Sequence, residues 1–301
     1  MSRAYVPLIV LLSAIWGASF MFIKVADRAF QPWTLMAFRT LLAAVILFGV
    51  LAHQRGFARS ISELKALAGP LVLLGTFSAA LPFTLIAWGE THVDSGVAAI
   101  GNGSMPIWVA VLALRFQRQE RVYGFRLFGL ALGIVGVAVL VGVHPRGGWW
   151  GVAGTGAIVI AAISYAASSL VSQHYVGRAD PLVVATGSII GAALVLLPIG
   201  LLQLPGQMPG WKPVASVLAL GVLGTAAGQL LYFRLLVGYG TARASLVTYL
   251  LPIPALFYGV TLLGEPLTVE ELVGLTLILA GVVIASGFMR LRRGAPAPAA
   301  P

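Results

Sequence analysis

Ser95-Gly-Val-Ala-Ala-Ile-Gly-Asn-Gly-Ser-Met-Pro106 has a counterpart 146 residues later, Thr241-Ala-Arg-Ala-Ser-Leu-Val-Thr-Tyr-Leu-Leu-Pro252. Small, amide or hydroxyl residues recur in each at helical spacing: Ser95, Ala99, Asn102 and Pro106, then Thr241, Ser245, Thr248 and Pro252. Steps of four, three and four residues place each set on one helix face. Each stripe lies in an apolar run and ends at a proline, which removes a backbone hydrogen bond and crowds the preceding turn, so both helices are expected to bend there. Two matched polar faces with two matched kinks read as the lining of a path through a membrane, with Pro106 and Pro252 as its hinges.

Composition supports that setting. Hydrophobic residues form 59% of the 301-residue chain and charged residues 9%, with a mean hydropathy of +0.97, outside the range of soluble domains. A span needs about 20 apolar residues, so ten spans take roughly 200. The remaining loops leave no room for a soluble catalytic domain. The net charge of +10 is scattered between apolar runs, which reads as a topology signal rather than a nucleic-acid surface. With no cysteine, disulfides, thiol catalysis and Cys-bound metals are excluded. Met1-Ser-Arg-Ala-Tyr5 and the run after it resemble a secretory signal, but the run continues through Trp16 to Ile23 and has a counterpart in the second half, which argues for a span.

Splitting the apolar runs at charged, Pro and Gly clusters predicts ten helices, over 6–25, 32–52, 67–88, 94–114, 125–143, 151–172, 181–203, 213–234, 242–262 and 270–289. The duplication extends through the chain: Trp16 aligns with Tyr165, Ser19 with Ser168, Pro32 with Pro181, Gly75-Thr76 with Gly224-Thr225, Glu120 with Glu265, and Gly136 with Gly281. An odd number of helices per unit makes the second unit enter from the opposite side. The expected fold is therefore an all-α integral membrane protein, ten transmembrane helices as two inverted five-helix repeats, over 1–145 and 146–290. A disordered Ala/Pro tail is expected over 291–301. Of the 19 Lys and Arg, Lys24, Arg28, Arg146 and Lys212 fall on one side and Arg39 inside the second helix, leaving fourteen on the side of the termini. By the positive-inside rule that side is the cytoplasm, for a multi-pass protein of the inner membrane.

Trp16-Gly17 with Lys24, Phe38-Arg39, the helices carrying Pro106 and Pro252, and Gly264-Glu265-Pro266-Leu-Thr followed by Val273-Gly274 and Gly281 together resemble the drug/metabolite transporter superfamily, in its EamA type. The likeness covers essentially the whole chain and departs at Arg118-Gln-Glu120, where glycine is expected before the glutamate. It implies a carrier that moves small metabolites by alternating access, without cofactor or metal. The central cavity would be lined by the first, third and fourth predicted helices and their mates, the sixth, eighth and ninth. The chain is similar to exporters of aromatic and other neutral amino acids, which gives a small neutral amphipathic molecule as expected substrate and the lipid bilayer as the other partner.

Several residues could form that cavity. Tyr165, Ser168, Ser169 and Ser172 make a helical stripe, as do Thr225, Gln229 and Tyr232; Trp16 and Ser19 answer them. Any single serine is read first as a packing residue that bonds to its own backbone. Gln229 and Asn102 point to the cavity, because a side-chain amide in lipid has four hydrogen-bonding sites to satisfy. Trp16, Trp108, Tyr165, Tyr232 and Tyr249 lie inside their spans, where core packing and substrate contact are both open; with Thr248 they describe an aromatic, partly polar cavity without fixed charge. Trp33, Trp88, Trp149, Trp150 and Trp211 lie at span ends and read as interface anchors. Arg39 is an intramembrane charge, a functional candidate by default; snorkelling or helix-tying is preferred over substrate binding, and Lys24 is read as snorkelling too. Glu90, His92 and Asp94 fall in a short outer turn. With no Asp or Glu in mid-span, movement down the substrate's own gradient is expected. A proton-coupled exporter of drugs or other metabolites is the alternative. An intramembrane enzyme lacks a nucleophile with a base at depth, the histidines His53, His92, His144 and His174 all falling at span ends; a passive channel stays open. The glycine pairs Gly129/Gly133, Gly187/Gly191 and Gly224/Gly228 fit close helix approach within one chain, so the monomer is the expected unit.

Overall fold

In lipid every backbone N–H and C=O must find a partner within its own segment, so apolar runs of this length fold as helices. The structure is a computed structural model that describes residues 4–116, 125–142, 148–176 and 179–285. Arg3, the Arg118-Gln-Glu120 turn, Arg121, His144, Arg146, Arg178, Arg290, Arg292, Arg293 and the tail from Gly294 lie outside the described residues.

Among the described residues every regular element is helical. The elements are α1 (Tyr5–Ala26), α2 (Pro32–Arg55), α3 (Phe57–Ala66), α4 (Ala68–Glu90), α5 (Ser95–Asn102 and Met105–Phe116), α6 (Phe125–Gly142), α7 (Trp149–Val176), α8 (Pro181–Leu201), α9 (Trp211–Tyr239), α10 (Thr241–Ala244, Val247–Leu250, Pro252–Tyr258 and Gly259–Leu263) and α11 (Val269–Ala285). Seven stretches are long and apolar enough to cross a membrane, in α1, α2, α4, α5, α7, α8 and α9; Leu127–Val141 and Val247–Leu263 are shorter apolar helices. The chain is thus a multi-helix membrane fold.

Sequence chemistry sets the element ends. Pro32 and Pro181 begin α2 and α8, where a missing N–H costs nothing. Asp180 caps α8 by accepting from the Leu182 and Val183 amides at 2.9 and 3.3 Å. The short amphipathic α3 escapes a search for apolar runs, because its apolar face is only a few residues wide. It carries Arg59 and Glu63 at 2.8 Å, and Glu63 also meets Arg55 of α2 at 2.9 Å. Arg55 in turn reaches Asp180 at 2.6 Å, tying α2 to the start of α8.

Both duplicated stretches are interrupted as the prolines require. α5 breaks at Gly103-Ser104, just before Pro106, and α10 is divided at Ser245-Leu246 and again at Leu251, just before Pro252. A second matched irregularity was not expected. α4 widens into a π-helical turn over Thr76–Ala80 and α9 over Leu220–Ala227, at the aligned Gly75-Thr76 and Gly224-Thr225. Such turns shift helical register and frequently mark functional positions.

Between lipid-embedded helices close packing, not water exclusion, holds the bundle. α6 and α11 meet through glycine: a methyl on Gly281 would stand 2.5 Å from the Gly133 amide nitrogen and 2.6 Å from the Gly129 carbonyl. Gly187 and Gly191 lie against Leu71 and Val72 of α4, while Gly224 and Gly228 lie against Ser19 and Trp16 of α1. All three glycine pairs of the sequence therefore pack within the chain. α1 packs against α5, α9 and α10. Trp149, Trp150 and Trp211 are exposed, whereas Trp33 is partly buried against the core.

Candidate functional site

A cavity of about 260 Å³ lies among α1, α2, α4, α5, α7, α9 and α10, reached by one or a few residues from each. α1 contributes Trp16, Ser19, Phe20 and Ile23; α4 contributes Ser78, Phe83 and Ile86; α5 contributes Asn102 and Met105. Tyr165 comes from α7, Gly224, Thr225, Gln229 and Tyr232 from α9, and Thr248 and Leu251 from α10. Asn102 and Thr248 lie beside the breaks in α5 and α10, and Ser78 and Thr225 lie in the π turns. Interrupted helices thus supply much of the polar lining, as expected where backbone irregularity faces a cavity rather than lipid.

Of the residues singled out by sequence, Trp16, Ser19, Asn102, Tyr165, Gln229, Tyr232 and Thr248 line this cavity. Trp108, Ser168 and Tyr249 do not. The Trp108 indole donates to the Ser104 hydroxyl at 3.1 Å on its own helix, the Ser168 hydroxyl to the Tyr165 carbonyl at 2.7 Å, and the Tyr249 ring packs beside the α6–α11 core. These are the packing readings that helical periodicity cannot separate from cavity readings. Phe20, Phe83, Ser78 and Met105 join the lining with no sequence signal beyond position on a lined helix.

Arg39 overturns the expectation of a cavity without fixed charge. It is 5% exposed, lines the cavity and does not snorkel. Its Nε donates to the Thr225 hydroxyl at 2.8 Å, and its guanidinium carbon lies 3.9 Å from the centre of the Phe83 ring. The Thr225 hydroxyl donates onward to the Leu220 carbonyl at 3.0 Å, a contact five residues back that the π turn creates. A cation held over an aromatic face keeps its charge partly compensated without a carboxylate. Asn102 also lines the cavity, and its side-chain oxygen is buried with no donor. Trp16 and Tyr232 lie with ring centres 5.6 Å apart and planes tilted by 34°, and Phe83 meets Tyr165 edge-on at 6.5 Å. The site therefore offers a cationic donor, an unfilled acceptor and aromatic walls.

The end of the bundle holding the α1–α2 and α4–α5 turns is tied shut by polar contacts. Lys24 turns inward rather than snorkelling, and its ammonium donates to the Glu90 and Val93 carbonyls at 2.5 and 2.7 Å. Gly264, at φ +69°, ends α10 in the left-handed conformation that glycine adopts freely. That turn brings Glu265 to the start of α5, where it accepts from the Ser95 amide at 3.0 and 3.1 Å and from the Ser95 hydroxyl at 2.5 Å. The Gly-Glu pair read in sequence is thus a turn-and-cap device between two helices. Glu90 is not a surface-turn residue: it ends α4 and is 0% exposed. His92 lies between the Trp88 and Trp150 rings at 4.6 and 5.5 Å. Among the described residues no group of His, Asp and Glu has the makings of a metal site.

A helical membrane bundle with a largely apolar cavity, carrying a few polar groups beside broken helices, is the architecture of a small-molecule carrier. The model of the EamA-like transporter family matches residues 3–142 and again 152–287, and the chain belongs to that family. It is a membrane transporter, not an enzyme. It is 28% identical to a probable amino-acid metabolite efflux pump of Salmonella typhimurium, over 98% of this chain and 99% of the relative. It is 29% identical to a probable terminal-alkyne amino-acid exporter of Streptantibioticus cattleyicolor, over 92% and 91%, and 26% identical to an S-adenosylmethionine/S-adenosylhomocysteine transporter of Chlamydia trachomatis, over 94% and 86%. A solved crystal structure aligns with a TM-score of 0.67 at 17% identity, covering 98% of this chain and all of the other, a likeness of fold.

Proposed function

We propose that this transporter exports small neutral amphipathic metabolites, amino acids including aromatic ones among them, from the cytoplasm across the inner membrane. The observation that carries the reading is the set of a few polar groups, Arg39, Asn102 and Gln229, within an otherwise apolar and aromatic cavity. The Arg39 guanidinium suits a carboxylate, the donor-less Asn102 oxygen and the Gln229 amide suit an ammonium, and the Trp16–Tyr232 pair suits an apolar or aromatic side chain. A zwitterion is neutral overall yet needs both partners, since an unpaired charge at membrane depth is costly. The names of two relatives, a probable amino-acid metabolite efflux pump and a probable terminal-alkyne amino-acid exporter, support the same substrate class.

Transport would proceed by alternating access, the two five-helix units rocking about Pro106 and Pro252. The broken helices beside both prolines and the twofold match of the family model support that reading. Both termini would lie in the cytoplasm, on the side richer in Lys and Arg.

The test is uptake of radiolabelled neutral amino acids into proteoliposomes. The wild type should show saturable uptake with counterflow, which a passive channel does not give. Gln229→Ala and Trp16→Ala should each lower kcat/KM by about tenfold, equivalent to about 1.4 kcal/mol of lost binding. Absence of uptake for every amino acid would sink the substrate class.

A further inference from the structure

Buried carboxylates gather at the closed end of the cavity, and not all of them are satisfied. Glu265 takes the Ser95 amide and hydroxyl. Asp27 and Glu90 have neither: all four of their carboxyl oxygens are buried and receive no hydrogen bond. The nearest cation does not serve them, because the Lys24 ammonium is spent on the Glu90 and Val93 backbone carbonyls.

Their position follows from helical spacing. Ile23 of α1 and Ile86 of α4 line the cavity; Asp27 and Glu90 follow each by four residues, one turn or about 5 Å farther along the same helix faces. Asp27 continues the helical backbone of α1. The two acids therefore form a layer on top of the cavity, separated from it by the two isoleucines.

The charged groups that reach Glu90 are Asp27 and Lys24 from α1, Arg39 from α2 and Glu265 from the turn before α11. Lys24 is the charge that reaches Asp27. α7 packs on the other flank of α4 through Gly89 and Gly154, with His92 of the α4–α5 turn also against Gly154; the titratable residues of α7 are Tyr165, His174 and Tyr175, and α8 has none between Pro181 and Leu201. Two carboxylates in this place would leave two anions buried with no donor hydrogen, the costliest state for such groups.

We propose that Asp27 and Glu90 form a proton-binding site that must be loaded for this end of the cavity to close, so that transport is linked to protons. When this end opens, the pair meets water and takes up a proton; closure carries it inward over the cavity. Burial pushes the Asp27 carboxyl up to about 8, against the pull of Lys24. Its proton is held below that pH and lost as pH rises through it, so closure is favoured at neutral and acid pH and fails in alkali. A cation would need more oxygen ligands than this pair offers. Such a site would give proton-linked transport in place of the gradient-only movement expected from sequence. It rests on the alternating-access reading, not on the choice of substrate.

Two measurements on the reconstituted full chain separate these. In infrared difference spectra taken while the pH is stepped, the wild type should show a protonated-carboxyl band that titrates near neutrality, and Glu90→Gln and Asp27→Asn should each remove part of it. This readout needs no substrate. With pyranine in the lumen, phenylalanine transport by the wild type should move the lumen pH and speed up severalfold under an imposed pH gradient, and Glu90→Gln should abolish both responses. A band unchanged in both variants, or a wild-type rate that follows a sodium gradient and ignores pH, overturns the proposal. If phenylalanine is not carried, the infrared result still decides on proton binding.

Discussion

At the residue scale, Arg39 carries more than its place in the sequence announces. Its Nε is bonded to Thr225, one Nη donates to the Met36 sulfur on its own helix, and its guanidinium lies over Phe83, so the group is fixed in place where it lines the cavity. Arginine suits a carboxylate by its planar fork, and lysine does not reproduce that geometry. Arg39→Met should leave the bundle folded, because the Thr225 hydroxyl keeps its bond to the Leu220 carbonyl. It should cut kcat/KM for a zwitterionic substrate by about 10- to 100-fold, the loss of a hydrogen bond to a charged group worth about 1.5–3 kcal/mol. Uptake kinetics alongside thermal stability in detergent check this, and an unchanged kcat/KM assigns Arg39 to helix tying alone. Sequence flagged the charge, but which way it points depends on Phe83 and Thr225, from helices distant along the chain.

At the element scale, glycine decides which helices can touch. Gly281 of α11 faces Gly129 and Gly133 of α6 so closely that an added methyl meets backbone atoms. Backbone cannot move aside as a flexible side chain can, so Gly281→Val should destabilise the protein by about 1–3 kcal/mol, the usual cost of overpacking. Gly156, with open space around it, is the control, and Gly156→Ala should cost nothing. Thermal unfolding of the purified variants reads the difference; equal melting temperatures would remove α6–α11 packing as a support of the fold. The breaks in α5 and α10 were legible because proline removes a hydrogen bond and crowds the turn before it, although Pro198 lies within α8 without interrupting it. The π turns of α4 and α9 were not. They arise where tertiary contacts, Arg39 on Thr225 among them, make a wider turn worth its poorer hydrogen bonding.

At the scale of the whole molecule, alternating access requires the two ends of the cavity to open in turn. Ser95 and Glu265 tie one end, and Arg55 and Asp180 link α2 to α8 toward the other. The chain has no cysteine, so paired cysteines can be introduced without background. Joining Ser95→Cys to Glu265→Cys with a thiol cross-linker should stop counterflow, and a cleavable linker should restore it. Counterflow that persists when the pair is fully linked would exclude rocking at this end.

The amino-acid sequence by itself determined that the chain is a helical membrane protein, where its apolar segments run, that it repeats internally, where two helices break, and that Asn102, Gln229, Trp16 and Arg39 were worth attention. Those follow from local rules: hydropathy over about 20 residues, helical spacing, and the missing N–H of proline. Only the tertiary structure decided that Arg39 enters the cavity while Trp108, Ser168 and Tyr249 stay outside it, and that Lys24 turns inward. It alone shows Asp27 and Glu90 enclosed without donors. The reason is that hydropathy and periodicity fix a side chain's depth and face on its own helix. Whether that face meets a cavity, a neighbouring helix or lipid is set by the rotation and packing of segments far apart along the chain.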